Sequence, residues 1–232
     1  GIVSRTQKKA EKLGKKFGIE KIFNSIDQMM KSDQVDGVLI LVSANNLYKV
    51  AKMVIPYKVP FFLEKPPGLS IYETKTLYNL TRKHITKNMI GLNRRFYSVF
   101  HQGMKIIKKH GRLLGILVEG HERFWLVKQK AKKFILKKWM FANSIHTIDL
   151  LRFFGGELEN FAFFKNSLKI KNGDQFALSF KFRSKAVGVY ISNWFSPGGW
   201  SIKLFGEGIS VVFDNLENGY WVNKNFKKYK IN

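Results

Sequence analysis

The chain contains no cysteine. Disulfides and thiolate metal ligands are therefore excluded, and the composition fits a reducing, cytoplasmic setting. No apolar run approaches the ~18 residues of a membrane-spanning helix, so no membrane partner is expected. The first residues, "GIVSRTQKKA", carry no secretory-signal pattern, and without an initiator Met they read as a trimmed or partial chain. Acidic residues are scarce: 16 Asp and Glu stand against 41 Lys and Arg, a net charge of +25. Such an excess can mark a nucleic-acid or anionic-membrane surface. Arginine is scarce too, since only 8 of the 41 basic residues are Arg and the 33 Lys are spread along the chain. Groove readers favour Arg for its bidentate contacts. The favoured reading is a solvated Lys-rich surface and no nucleic-acid partner.

What is present is a chain of 232 residues, 45% hydrophobic, enough for two domains or one large one. The first hundred residues alternate β and α signals. "GIVSR" reads as a strand. Thr6 is placed to cap a helix with Ala10, Leu13 and Phe17 on one face and Gly18 as its stop. Ser25 and Gln28, and later Ser70 and Glu73, have capping-box spacing. Between them lie the apolar runs "GVLILV" (37–42) and "PFFL" (60–63), and "NMIGLNRRF" follows. Strands apolar on both faces, alternating with helices, predict a doubly wound parallel sheet over residues 1–97. From residue 98 one helix leads into strand-like segments at 113–123, 158–164, 174–182, 186–194, 200–206 and 209–213. Turn signals such as "NGD" and "PGG" separate them, and one further helix is expected at 145–154. This second half, 98–232, reads as an α+β domain with a large, mostly antiparallel sheet. The basic segment 128–138 reads as a solvated loop, the alternative being a contact with the phosphates of a nucleotide-activated sugar.

Ligands of open α/β sheets bind beyond the carboxyl ends of the strands. Two such ends are chemically rich: Ser43-Ala44-Asn45 after the first apolar run, and Glu64-Lys65-Pro66-Pro67 after the second. Proline restricts the residue before it to extended conformations, so Lys65 is fixed in direction. A second group is "ANSIHTIDLLRFFGGE", where His146 and Asp149, three apart, share a helix face. A histidine there can serve as acid, base or ligand near neutral pH. One His and one Asp leave too few partners for a metal, so no metal site is expected.

In order along the chain, "GIVSRT", "DGVLILVSANNLYKVAKMVI", "PFFLEKPPGLS", "GLNRRF", "NSIHTIDLLRFFGGE" and "IKLFGEGISVVF" resemble the glucose–fructose oxidoreductase / inositol dehydrogenase / MocA (Gfo/Idh/MocA) family of NAD(P)-dependent oxidoreductases. The resemblance implies an N-terminal Rossmann domain and a second domain whose sheet faces the active site on one side. The other side is commonly an oligomer contact, so a homo-oligomer through the C-terminal sheet is implied. It also implies hydride transfer between nicotinamide and a carbinol carbon of a sugar, cyclitol or nucleotide-sugar. Lys65 matches the lysine that contacts the reacting hydroxyl, and His146 the histidine that exchanges its proton. Glu64 and Pro66 belong to the same motif, with Pro66 matching a proline often preceded by a cis bond. Ser43, Ala44 and Asn45 match the loop that passes the cofactor. Arg95, Arg123, Trp125, Asn143 and His146 are the expected substrate contacts, and Arg94 either joins them or faces solvent.

Three departures accompany the match. Ala142 stands where many members carry an Asp, four residues before the histidine, and Tyr48 stands where a His is usual. The G-x-G-x-x-G turn of a Rossmann opening is absent, so the chain reads as a truncated Rossmann domain, a fragment expected to bind dinucleotide poorly. The second-strand end that selects the cofactor is Ser4-Arg5-Thr6, with no acid to accept a ribose 2′-hydroxyl, which favours NADP over NAD. The rival readings are a basic, non-catalytic module for nucleic acid or another polyanion, and an inactive remnant of the family.

Overall fold

Short apolar runs flanked by capping residues build the first part of the molecule. In the computed structural model, which describes residues 1–32 and 35–231, β1 (Ile2–Val3) leads into α1 (Gln7–Phe17). Gly18 closes α1 at φ 66°, its N–H donating to the Gly14 carbonyl, a left-handed turn that glycine adopts without steric cost. The expected inward face is only partly realised. Ala10 and Gly14 are buried, whereas Leu13 and Phe17 are exposed. The reason is size: β1 pairs only with the two residues of β2 (Ile22–Phe23), a surface too narrow to cover a whole helix face. Thr6 occupies the N-cap position without a side-chain bond, and its N–H donates instead to Ser4 Oγ at 3.3 Å.

The two capping boxes form. Ser25 Oγ accepts from Gln28 N at the head of α2 (Ile26–Lys31), and Ser70 Oγ accepts from Glu73 N at the head of α4 (Ile71–His84). Between these helices come β3 (Val38–Ile40), α3 (Ala44–Val54) and β4 (Phe61–Leu63), and β5 (Asn88–Ile90) follows α4. The strands β3, β4 and β5 form a parallel sheet with Ile40, Leu63 and Ile90 in one row. Alternate residues of these strands (Val38, Ile40, Phe61, Leu63) bury against Leu47, Ala51 and Val54 of α3 and Leu77 of α4. The residues between them, Leu39 and Met89, are exposed.

This first compact unit is Gly1–Gly91, and the second is Leu92–Asn232. The 3-10 turn Asn93–Phe96 belongs to the second unit and touches α8 (Ile145–Gly155), to which Arg95 is tied through Asp149. The second unit is built on an eight-stranded sheet. Its strands are β6 (Leu113–Gly120), β7 (Leu158–Asn166), β8 (Gln175–Phe182), β9 (Val187–Asn193), β10 (Trp200–Gly206), β11 (Ile209–Asp214), β12 (Asn218–Asn223) and β13 (Lys228–Lys230). Their order is β13-β12-β11-β10-β6-β9-β8-β7, antiparallel except for the parallel pair β6–β9. One face packs on α5 (Ser98–His110) and α8. There Phe100 meets Phe154 and Phe213 edge-on, with Ile116, Phe180, Leu204 and Val211 buried beneath. Each such side chain contributes about 1.5–3 kcal/mol by leaving water.

The segment expected as a loop differs. Residues 128–138 lie across α6 (Phe124–Lys130) and α7 (Lys133–Leu136), and a π-helical stretch, Met140–Ser144, then runs into α8. Helical spacing lets Phe124 bury while Lys128, Lys130 and Lys133 stay in water. The chain is thus α/β, with parallel sheets and helices followed by a large, mostly antiparallel sheet.

Candidate active site

In the first unit the chemistry collects after β4. Glu64 N donates to Ile40 O at 3.1 Å, and Gly91 N donates to Leu63 O at 2.8 Å. The turn is therefore pinned to its neighbours on both sides. Glu64 Oε2 accepts from the backbone N–H of Lys65 at 2.9 Å, the Lys65–Pro66 peptide is cis, and Lys65 is half-buried. A bulkier residue at position 91 would collide with Phe62, since a β-carbon there would lie 2.9 Å from the ring. After β3, Ser43 sits at the N-cap of α3, with Asn46 Nδ2 donating to its Oγ at 2.9 Å. Asn45 is exposed and Ala44 half-buried in the first turn. After β1, Ser4 is half-buried, and Arg5 and Thr6 are exposed.

In the second unit a cavity of about 570 Å³ opens where β6 ends and meets β10, α6 and the π-helical stretch. Glu122, only 5% exposed, lies in its wall. Asn143 Nδ2 donates to it at 3.1 and 3.3 Å, and Ser144 Oγ at 3.0 Å. These bonds tie the end of β6 to the start of α8 and so help fix His146, which is 7% exposed and has its ring 6.2 Å from that of Trp200. His121 accepts at Nδ1 from Asn193 N at 3.0 Å, which places its ring proton on Nε2. Beneath them Tyr190 is buried with its hydroxyl 3.3 Å from Thr147 Oγ1, and burial pushes its phenol up.

Of the residues expected to meet substrate, Arg123 and Asn143 line this cavity. Trp125 does not line it and points a partly exposed ring from α6. Arg95 is committed elsewhere: its Nε and Nη2 clasp Asp149 at 2.6 and 2.5 Å, and that bond raises the guanidinium pKa. Asp149 therefore serves Arg95. The cavity takes Arg94 instead, and adds three residues that the sequence reading did not single out, Glu122, Trp139 and Trp200. The signal was faint but present, a carboxylate flanked by His121 and Arg123 at a strand end. A second cavity, of about 620 Å³, runs along α4 beside Tyr78, Arg82 and Ile85. It is larger, yet mostly apolar and lined by no carboxylate or histidine, so the chemistry is assigned away from it. Among the described residues no three His, Cys, Asp or Glu come together as a metal site, and no helix is long and apolar enough to cross a membrane.

Comparison with known proteins bears directly on this arrangement. Residues 1–92 match the family model GFO_IDH_MocA, the oxidoreductase family with an NAD-binding Rossmann fold. Solved oxidoreductases share the fold of nearly the whole chain. An oxidoreductase from Agrobacterium radiobacter, solved with NAD+, L-tartaric acid and magnesium, aligns with a TM-score of 0.79 at 17% identity, covering 99% of this chain and 70% of its own. Levoglucosan dehydrogenase with NADH and levoglucosan aligns at 0.82 and 15% identity, covering 99% and 70%. UDP-N-acetylglucosamine 3-dehydrogenase from Acidithiobacillus ferrooxidans aligns at 0.77 and 16% identity, covering 100% and 74%. At these identities the likeness is one of fold. Comparison with curated proteins finds no match.

Proposed function

We propose that the chain is an NAD(P)-dependent oxidoreductase acting on a CH–OH group of a sugar, cyclitol or nucleotide-sugar. The observation that carries this reading is Lys65, held by Pro66 at the carboxyl end of β4 inside a segment that matches an NAD-binding oxidoreductase family. A dinucleotide, when bound, supplies hydride acceptance and donation at its nicotinamide. This chain's residues supply the rest. Lys65 hydrogen-bonds the carbinol oxygen. His146 takes the hydroxyl proton during oxidation and returns it during reduction. Unlike some family members, the chain has Ala142 four residues before the histidine, which leaves Lys65 and His146 as the proton-handling pair.

The residues fit an NADP-type ligand at several points. Arg5 is exposed at the carboxyl end of β1, flanked by the hydroxyls of Ser4 and Thr6, with no acid in the triplet. That chemistry suits a 2′-phosphate better than a 2′-hydroxyl, so NADP is preferred and NAD is the alternative. Ser43, Ala44 and Asn45 open a helix whose N-terminal dipole favours negative charge. Glu64, Lys65 and Pro66 complete the cofactor side. On the substrate side, the sugar and nucleotide-sugar chemistry named for the levoglucosan and UDP-N-acetylglucosamine enzymes supports the same class here, with Arg123, Asn143 and His146 as the proposed contacts. The absent cysteines support a cytoplasmic location.

Fluorescence titration with NADPH and NADH tests the cofactor assignment. NADPH is expected to bind more tightly, and Arg5→Ala is expected to remove most of that preference, since each charge-assisted phosphate contact contributes about 1.5–3 kcal/mol. Equal affinities in the unaltered protein overturn the preference for NADP.

A further inference from the structure

The cavity of the second unit holds two buried donors that the protein does not satisfy. Arg94 Nε and the indole N–H of Trp139 are both buried with no hydrogen-bond partner among the described residues, and both residues line the same cavity. The neighbouring arginines show what Arg94 lacks. Arg95 closes its Nε edge on Asp149, and Arg152 closes its Nε edge on Glu157. Each is a guanidinium fork matched to a carboxylate. Arg94 has only a loose approach through Nη1, 3.9 Å from Glu217, whose side chain is 70% exposed. Its own side chain is 31% exposed, and its guanidinium lies over the Tyr97 ring at 5.0 Å, which holds the group in place. A charged donor buried without an acceptor is costly, so the arrangement is completed by a ligand that brings one.

The rest of the wall narrows the chemistry. Arg123 and Lys130 add positive charge, and the indoles of Trp139 and Trp200 offer flat apolar faces suited to a pyranose ring. Glu122 and Asn143 supply acceptor and donor groups for ring hydroxyls. We propose that this cavity binds a monosaccharide bearing one oxyanion, a carboxylate or a phosphate, with the oxyanion on the Nε edge of Arg94 and an oxygen on the Trp139 N–H. The inference rests on the reading of this unit as the substrate side of the oxidoreductase, and it deepens that reading from sugars in general to acidic ones.

The test is isothermal titration of the 232-residue chain with D-glucuronate, D-glucose 6-phosphate and D-glucose. At least one of the two acidic sugars is expected to bind more tightly than glucose, and the one that binds distinguishes carboxylate from phosphate. Arg94→Gln is expected to weaken that binding by about 10- to 100-fold. Trp139→Phe, which keeps an aromatic face and removes the N–H, is expected to weaken it severalfold with the melting temperature retained. Glucose binding as tightly as both acidic sugars overturns the proposal, as does failure of all three to bind or an affinity untouched by both substitutions. Acidic-sugar binding lost in Arg94→Gln, with no dinucleotide-dependent turnover by a chain extended to carry the glycine-rich turn, would uphold this inference and remove the hydride-transfer reading. Turnover of neutral sugars with Arg94 irrelevant would do the reverse.

Discussion

Asp174 shows how much a single buried side chain can organise. It is 1% exposed, yet its carboxylate accepts the backbone N–H groups of Leu168, Lys169 and Ile170 at 3.0, 2.5 and 2.8 Å. Burial alone would raise its pKa, but those bonds outweigh burial and hold it below the ordinary 3.8. A carboxyl depressed in the folded state stabilises fully above its unfolded value and loses that contribution as pH falls through 3.8 toward the lower folded value. Asp174→Asn is therefore expected to cost about 1–3 kcal/mol in urea unfolding near neutral pH. Below pH 3.8 the gap between the two proteins should narrow, and an unchanged gap would remove the carboxylate from the account. The sequence exposed this residue only as part of the turn signal "NGD". Lys65 was legible because proline leaves a local mark, and His146 because a helix start does. Glu122 and Trp139 were not, because their burial arises from contacts distant in sequence: Glu122 meets Asn143 and Ser144 more than twenty residues away.

At the scale of elements, helices and strands with strong local signals were legible, including α3, α4, α5 and α8 and the strands β8 to β11. Five elements were not: the helices α6 and α7, too short at seven and four residues to display a helical period, the two- and three-residue strands β2 and β13, and β12, whose polar ends mask its apolar centre. Packing between elements can also reverse a local preference, as α5 illustrates. Gly103 lies inside that helix, where alanine would ordinarily gain about 0.5–1 kcal/mol. A β-carbon there would sit 2.5 Å from Cζ of Phe213 and 3.0 Å from Cγ1 of Val211 on β11. Overpacking of this kind costs about 1–3 kcal/mol, so it exceeds the helical gain. Gly103→Ala is expected to lower the midpoint of thermal unfolding, and a higher midpoint would show that α5 and β11 can separate at little cost.

At the scale of the whole molecule, the eight-stranded sheet leaves one face without helices from α5 or α8. Register places Ala162, Ser179, Val189, Leu117, Lys203 and Val212 in one row across it, with Val187 and Val189 59% and 45% exposed. The apolar residues on this face, Ala162, Val187, Val189 and Leu117, support the proposed homo-oligomer through the C-terminal sheet, with Ser179 and Lys203 among them. Light scattering of the wild-type chain should report a dimer or larger, and Val189→Glu should shift it to monomer with the fold retained; a monomeric wild type contradicts the oligomer. The central proposal is chemical, however: Lys65 handles the oxygen, and His146 the proton, of a carbinol. Its most direct measurement is dinucleotide-dependent turnover, followed by absorbance of the reduced nicotinamide, in wild type, Lys65→Ala and His146→Ala. Each substitution is expected to lower kcat by about 10²- to 10⁴-fold. Turnover at the wild-type rate in either variant would contradict the account.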